Sequence, residues 1–278
     1  MKRLLAGSTL VLLYLFYVSA TTALIRSRAA QESPNPPVPA RSPVVVELFT
    51  SEGCSSCPPA DALLARLAEQ KLGENIQVIA LEEHVDYWDE QGWTDPFSSR
   101  DWTSRQYVYA AALGNGNPYT PQMVVDGRVE FVGSHGQKAL QNILQAAGKA
   151  KVSVTLAQGN PNKAGTENLS VTVGKLAGTT KSDAAEVWLA VTETGLHSAV
   201  TRGENAGQDL HHAAVVRAMR KIGNANAEGE SSFAGNVNVP LRAEWRRENL
   251  RAAVFVQEKK SRRILGAGEI RIAPGPRV

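Results

Sequence analysis

The pattern of apolar and polar positions changes near residue 150 of the chain. Before it, nearly unbroken apolar runs at 44–49 and 76–81 alternate with stretches whose apolar residues recur at helical spacing. Such runs are typical of strands buried on both faces of a mainly parallel sheet, and the helical stripes indicate helices that cover the sheet. We therefore expect an α/β domain over residues 44–149.

The first apolar run leads into the best-defined helix. Its apolar positions fall on one stripe: Ala60, Leu63, Leu64, Leu67 and Ala68. Polar residues, beginning with Asp61, are expected to point away from that stripe. Further helices are predicted over 98–113 and around 140–147, and between them a hairpin turn at Asp126-Gly127.

After residue 150 the apolar positions alternate with polar ones, as in 152–156, 169–173 and 187–191. Alternation is typical of antiparallel strands with one solvent-facing side. Turn-forming residues separate these segments, and about seven such strands would make a two-layer domain. The second half, 150–278, is therefore predicted to be an all-β sandwich-like domain.

Composition and charge narrow the class of protein. The chain has 43% hydrophobic and 21% charged residues, a balance typical of a folded globular protein. Its formal net charge is only +3, and its Lys and Arg residues form no long run. A nucleic-acid partner is therefore not expected.

The N-terminal segment differs in kind from the rest. Lys2 and Arg3 precede an apolar stretch and small residues, the arrangement of a secretory signal peptide over residues 1–23. The alternative is an N-terminal membrane anchor, because the same stretch is about long enough to span a bilayer. A Pro-rich linker follows at 24–43. Both interpretations place the body of the protein outside the cytosol, secreted or periplasmic, where disulfides persist.

The chain has two cysteines, Cys54 and Cys57, in a Cys-x-x-C between the first strand and the first helix. So small a ring constrains the unfolded chain little, which favours a chemical role over a structural one. The positive end of a helix stabilises a thiolate, the species that attacks a disulfide. Cys54, expected to be the more exposed, is predicted to attack, and Cys57 to resolve the mixed disulfide.

This order of elements resembles the thioredoxin fold, with Thr120-Pro121 where that family has its cis-proline beside the redox pair. The resemblance implies a cis bond before Pro121 and a backbone that presents itself to an extended substrate segment. Glu47 looks like the counterpart of the family's buried acid, although it lies one residue further from the first cysteine. Such a carboxylate would take the proton from Cys57.

Four longer segments resemble a bacterial secreted family known as domain of unknown function 1223. They are ELFTSEGCSSCPPADALL, HVDYWDEQGWTDPF, YTPQMVVDG and RGENAGQDLHHAAVVRAMR. The resemblance covers the chain from about Val44 to the C-terminus and implies a thioredoxin-like domain with no established substrate. The chain departs from the family pattern at Glu82-Glu83, where small or apolar residues are usual.

Two polar segments have a structural and a functional interpretation. The loop at 82–97 is rich in acids and aromatics, and it either carries function or covers the edge of the sheet. The segment 202–220 contains His211 and His212, which face opposite ways if they lie on a strand and so are not expected to share one metal ion. We interpret that segment as a structural turn and strand.

Three functions fit these features. The favoured one is a thiol–disulfide oxidoreductase of the cell envelope, acting without a cofactor or metal on a protein or small thiol or disulfide substrate. The second is a copper or other metal carrier in which Cys54 and Cys57 act with His84 or His135. The third is a non-catalytic secreted binding protein whose disulfide is structural. Cys-x-x-C opposite Thr-Pro is the arrangement that disulfide exchange needs, which favours the first.

Overall fold

The described part of the protein is built mostly from β-strands. The computed structural model describes residues 42–70, 72–73, 75–114, 116–159, 165–176, 183–226 and 231–272. The strands described there are β1 (Ser42–Thr50), β2 (Ile76–His84), β3 (Gln122–Val125), β4 (Val129–Val132), β5 (Val154–Gln158), β6 (Thr166–Gly174), β7 (Ala185–Glu193), β8 (Leu196–Ala199), β9 (Asp209–His212), β10 (Val215–Ala225), β11 (Ser231–Pro240), β12 (Leu250–Glu258) and β13 (Ile264–Arg271). The helices are α1 (Pro58–Glu69), α2 (Arg100–Leu113) and α3 (Gly136–Ala147), and a short 3₁₀ turn spans Arg247–Asn249.

Eight of these strands form one mixed sheet in the order β13-β12-β7-β10-β2-β1-β3-β4. β1 and β2 pair in parallel, and β10 joins β2 in parallel where Val215 lies opposite Glu82. The other neighbours in this sheet are antiparallel. The sheet therefore continues from the first half of the chain into the second.

The predicted fold class, an α/β thioredoxin-like domain followed by an all-β sandwich, is wrong. β7, β10, β12 and β13 extend the sheet of the first half, and β5, β6 and β11 form a separate three-stranded sheet. Apolar side chains of this small sheet share one core with those of β7 and β12. Alternation reveals that a segment is a strand with two unlike faces, but it does not specify the partner of that strand.

Alternate side chains of β1 face two different cores. Val44, Val46 and Leu48 pack with residues of α1 and α3. Val45 and Phe49 pack on the opposite side, against residues of α2. β2 follows the same alternation because it pairs with β1 in parallel along its whole length. The side chain of each polar residue of β1 and β2 thus points either to the α1 face or to the α2 face of the sheet.

Two local predictions are confirmed. The helix predicted over 98–113 forms as α2, with the Ser99 side chain accepting from an N–H of its first turn and Gly114 in the left-handed region at its end. Asp126-Gly127, with φ of 49° and 61°, joins β3 to β4 as a tight hairpin.

The signal peptide or anchor predicted over 1–23 lies outside the described residues. The linker predicted over 24–43 also lies outside them, apart from Ser42 and Pro43, which belong to β1. Among the described helices, none is both long enough and apolar enough to cross a bilayer.

Candidate functional site

Cys54 and Cys57 form a disulfide in the turn from β1 into α1, with their Cα atoms 5.5 Å apart. Pro58 and Pro59 occupy the first helical positions and have no N–H, so this helix end offers the sulfur atoms fewer donors than an ordinary one. The Ser56 Oγ lies 3.4 Å from the Cys54 Sγ. A thiolate at Cys54 would therefore accept a hydrogen bond from this hydroxyl.

Both cysteines are fully buried, at 0% exposure, so the expectation that Cys54 is the more exposed is wrong. The turn is covered by residues 200–208, which connect β8 to β9 and which we call the cap segment. The Asn205 side-chain amide donates to the carbonyl oxygens of Glu52 at 2.8 Å and of Cys54 at 3.1 Å. The backbone N–H of Ser55 donates to the Glu204 carboxylate at 3.1 Å.

The interpretation of 202–220 as merely a structural turn and strand thus missed a contact with the cysteine pair. Asn205, 1% exposed, is held in place by two backbone carbonyl groups of the cysteine turn. A buried amide of this kind costs free energy unless it is paired, so its position is well specified. The cap segment thus holds the backbone of the turn in which the sulfur atoms are buried.

The Thr120–Pro121 bond is cis, as the resemblance implied. Trp88, from the loop after β2, donates its indole N–H to the Thr120 hydroxyl at 2.8 Å. A side chain at Gly53 would place its Cβ 3.1 Å from the Cβ of Trp88, so only glycine fits without a shift there. The segment 82–97, whose first three residues belong to β2, therefore has an organising role, because Trp88 contacts both the Thr-Pro pair and the cysteine turn.

Glu47 does not lie beside the cysteines. It is on the α2 face of β1, whereas α1 packs on the other face. Its carboxylate accepts from the Arg105 guanidinium at 2.8 Å and from the Tyr109 hydroxyl. The predicted proton transfer from Cys57 to Glu47 is not supported by this placement, since the strand itself separates the two groups.

Asp61, in the first turn of α1, lies four residues after Cys57. It is 4% exposed, although the helical pattern was taken to point it away from the core. Its N–H donates to the Cys57 carbonyl, and its carboxylate accepts from the Thr50 hydroxyl at 2.6 Å. Burial and the charge of Glu82 raise the pKa of Asp61 to about 7. Asp61 follows Cys57 by four residues, about one helical turn, and this spacing could have indicated from the sequence that the two residues lie on the same side of α1.

Further polar side chains meet in a buried group beside Asp61, which we call the His-carboxylate cluster. Its members are Glu52, Glu82, His84, Asp95 and His212. His212 lies between two carboxylates, with Nδ1 2.8 Å from Glu82 Oε1 and Nε2 3.0 Å from Glu52 Oε1. His84 directs Nδ1 toward Asp95 Oδ2 at 2.7 Å. Each imidazole is therefore fixed in orientation by a carboxylate.

Strand register explains how these residues come together. His84 lies opposite Thr50, and Glu82 opposite Leu48, so both side chains take the α1 face of the sheet near the carboxyl ends of β1 and β2. His212 arrives from β9, where alternation buries it and leaves His211 exposed. The backbone then turns at Ala214, whose φ is 61°, an unusual value for a residue other than glycine.

The histidines and carboxylates of the cluster stabilise one another's charged forms. Burial lowers the pKa of His212, but its hydrogen bonds to Glu52 and Glu82 outweigh this and raise it to about 9. Burial likewise opposes protonation of His84, but the charge of Asp95 raises the pKa of His84 well above its usual value. Burial raises the pKa of Glu82, but the His212 hydrogen bond more than compensates and lowers it. Each histidine of the cluster is thus held beside a carboxylate that favours its protonated form.

The metal set considered from the sequence, Cys54 and Cys57 with His84 or His135, is not assembled in this geometry. The cysteines are joined to each other, and His84 faces Asp95 and Glu82. His135 precedes α3. Among the described residues, the side chains close enough together to hold a metal ion are instead Glu82, His84 and His212.

The family described as "Protein of unknown function (DUF1223)" matches residues 45–257. The chain belongs to this family. In this DUF1223 protein the matched region includes the cysteine turn, the cap segment and every member of the His-carboxylate cluster. No curated protein matches the chain.

Solved structures resemble this DUF1223 protein over most of its length. A structural-genomics crystal structure of a protein from Agrobacterium tumefaciens is 27% identical, with a TM-score of 0.63, and the match covers 86% of this chain and 98% of that one. HBP35 of Porphyromonas gingivalis is 16% identical, with a TM-score of 0.58, over 84% of this chain and 76% of that one. The second likeness concerns the fold alone.

Proposed function

We propose that the protein is a thiol–disulfide oxidoreductase of the cell envelope. The observation that carries this proposal is the position of its two cysteines, joined at the start of α1, one helical turn before a buried acid whose pKa is raised to about 7. A group that titrates near neutral pH is suited to exchange protons with a thiol. Glu47, the acid expected in this role, is replaced in the proposal by Asp61.

The chemistry runs through Cys54. A substrate thiolate attacks Cys54 Sγ, the Cys54–Cys57 bond breaks, and the Cys57 sulfur leaves with the electron pair. Protonated Asp61 gives its proton to that sulfur. A second substrate thiolate then attacks the substrate sulfur of the mixed disulfide, which releases the Cys54 thiolate and leaves the substrate oxidised by two electrons.

In the reverse direction the reduced pair returns the same two electrons to a substrate disulfide. The Cys54 thiolate attacks, assisted by the Ser56 hydroxyl at 3.4 Å. Cys57 loses its proton to ionised Asp61 and attacks the Cys54 sulfur, which expels the substrate as a dithiol.

The substrate is a protein or small-molecule thiol or disulfide that reaches the sulfur atoms once the cap segment has moved. Only Ser55 and Ser56 of the cysteine turn are exposed, and they mark the side of approach. The location proposed for this reaction is the periplasm or the cell exterior, with or without N-terminal membrane attachment. The N-terminal segment and the persistence of disulfides in those compartments support that location.

Trapping of mixed disulfides tests the roles of the two cysteines. The Cys57→Ser variant retains the attacking thiol and cannot resolve, so it is expected to accumulate mixed disulfides with a thiol-reactive substrate protein. The Cys54→Ser variant is expected to trap little, because its remaining thiol is placed to resolve. Equal trapping by both variants would overturn the assignment of roles.

A non-catalytic protein with a structural disulfide is the second candidate. The complete burial of both sulfur atoms favours it specifically, because an exchange enzyme needs an accessible attacking thiol. Reaction of the reduced protein with a thiol probe separates the two functions. An oxidoreductase should react at Cys54 at neutral pH without denaturant, whereas a structural pair should react only on unfolding.

A further inference from the structure

We propose that Glu82, His84 and His212 form a binding site for one divalent transition-metal ion of the zinc class, held by nitrogen and oxygen ligands. The site uses neither cysteine, so it stands independently of the proposed exchange function.

The spacing of the three ligand atoms suits such an ion. His212 Nδ1 lies 2.8 Å and His84 Nε2 lies 3.6 Å from Glu82 Oε1, and the ligand atoms of the three residues all lie within 4.8 Å of one another. Ligands at the usual bond lengths around a tetrahedral zinc ion are roughly 3.3 Å apart. The observed distances to the carboxylate bracket that value, so only small side-chain movements are needed to enclose an ion.

The second observation is an unpartnered nitrogen. His84 is 0% exposed, and its Nε2 has no hydrogen-bond partner within the described part of the chain. Its other nitrogen, Nδ1, is engaged by Asp95 at 2.7 Å. A buried polar atom without a partner is costly and uncommon in a folded protein. A metal ion between His84 Nε2 and Glu82 Oε1 would satisfy it.

The three ligand residues are hydrogen-bonded in the way that is usual for the ligands of metal sites in proteins. Histidines that bind metals usually donate their second N–H to a carboxylate, which fixes the ring and its tautomer. Asp95 occupies that position for His84, and Glu52, 3.0 Å from Nε2, occupies it for His212. The second oxygen of Glu82 accepts the N–H of Ala213 at 2.8 Å. Each of the three ligands is thus anchored through the atom that the ion would not use.

The chemistry of the ligand set favours zinc over copper(I) or calcium. Two imidazoles and one carboxylate leave one tetrahedral position for a further ligand, and zinc accepts such sets. Copper(I) prefers soft sulfur ligands, and calcium requires six or more oxygen ligands. The metal would replace the proton that His212 Nδ1 shares with Glu82 Oε1.

An exposed pair of histidines could bind metal ions in competition with the buried site, so the pair is replaced before the buried site is tested. His197 and His211 stack on the surface with ring centroids 5.6 Å apart, and both contact Asp209. Such a surface group could hold zinc adventitiously. The tests therefore use the full chain carrying His197→Ala and His211→Ala, with the disulfide oxidised.

The first experiment is a titration of this chelator-treated protein with Co²⁺ and with Zn²⁺, followed by absorbance and by bound-metal analysis. We expect one ion per chain, with visible d–d bands and no sulfur-to-cobalt charge-transfer band. Adding His212→Gln should lower the affinity by about a hundredfold or more, and Glu52→Gln, which removes an outer partner, by about 10–100-fold. Replacing both cysteines by serine should leave the spectrum unchanged.

Absence of a saturable ion in this background would overturn the proposal, as would a cobalt spectrum that His212→Gln leaves intact. A charge-transfer band that disappears with the cysteines would assign the metal to the thiols and also overturn it. If His212→Gln fails to fold, His84→Gln serves as the ligand variant, and zinc should raise the thermal midpoint of the parent but not of that variant. Loss of disulfide exchange with normal metal binding would reject only the proposed function.

Discussion

The same two strands, β1 and β2, support two buried polar groups of different character. On the α2 face, Glu47 is paired with Arg105 and Tyr109, and Glu83 lies 3.5 Å from the same guanidinium. On the α1 face, Glu82 is paired with histidine instead of arginine. Arginine keeps its charge throughout the accessible pH range, whereas histidine can exchange a proton or bind a metal. One face is therefore suited to structure and the other to chemistry.

Glu82 and Glu83 make the contrast sharpest because they are adjacent in the chain. Alternation sends their side chains to opposite faces of one strand. Burial and the charge of Glu47 raise the pKa of Glu83 well above its usual value, whereas the His212 hydrogen bond lowers the pKa of Glu82 against the effect of burial. The pKa values of two identical residues are thus shifted in opposite directions by the groups that face each of them.

The largest expected effect comes from breaking the arginine side. Arg105→Met leaves the Glu47 carboxylate buried without its counter-charge, and loss of one partner of a buried pair costs about 3–5 kcal/mol. Urea denaturation of the oxidised protein measures this loss. The double variant Glu47→Gln with Arg105→Met should recover much of it, and a single variant within about 1 kcal/mol of wild type would show that the pair is not buried as described.

The adjacent glutamates provide the next test. Glu82→Gln removes the anion that His212 contacts and should cost about 1.5–3 kcal/mol, the range for hydrogen bonds to charged groups. Neither oxygen of Glu83 has a hydrogen-bond partner within the described part of the chain, and its pKa is raised, so Glu83→Gln, an amide of the same shape, should change stability by less than about 1 kcal/mol. Denaturation of the two variants at neutral pH gives the comparison. Equal losses would contradict the assignment of the two faces.

Asp61→Asn should separate stability from activity. Because the pKa of Asp61 is raised from 3.8 to about 7, its contribution to stability is fully present below about 3.8 and is lost as the pH rises through about 7. The stability of the variant should therefore not fall as the pH rises through about 7, and the variant should be more stable than wild type at pH 8. It should also exchange disulfides about tenfold more slowly, a barrier increase of about 1.4 kcal/mol.

Stability curves against pH and stopped-flow exchange kinetics on the same Asp61→Asn samples check this prediction. Glu69→Gln, at the far end of α1, is the matched control and should change neither curve. An unchanged exchange rate in Asp61→Asn would remove Asp61 from the proton transfer.

Asn205→Ala should have the smallest effect and tests the cap segment. Loss of the amide removes two hydrogen bonds to the cysteine turn, and each is worth at least about 0.5 kcal/mol. Opening should become easier, so reduction of the disulfide by a small thiol should be about fivefold faster or more. His211→Ala, exposed on the same hairpin, should reduce at the wild-type rate, and parity between the two variants would show that the cap does not limit access.

Local features were predictable from the sequence where one short segment decides them. Asp126-Gly127 specifies its hairpin, and Ser99 and Gly114 bound α2, because each acts through its own backbone. The partners of the second-half strands were not predictable. Alternation in β7 and β12 reports two unlike faces, and it carries no information that β10 pairs with β2 at Val215.

The site was predictable only in part, for the same physical reason. The cysteine pair lies within one turn of chain, so its position before a helix could be inferred. His212 reaches Glu82 across 130 residues, and Asn205 reaches Cys54 across 151. Such contacts depend on sheet order. Asp61 was missed because a polar residue in a helical pattern is ordinarily assigned to the exposed face.

Whether the Cys54–Cys57 pair exchanges disulfides is decided by its equilibrium reduction potential, measured in a series of glutathione buffers. An exchange enzyme requires a pair that can be reduced and reoxidised under the conditions of its compartment. We expect a reversible potential between about −270 and −120 mV. A potential below roughly −300 mV would identify a structural disulfide and contradict the proposed function.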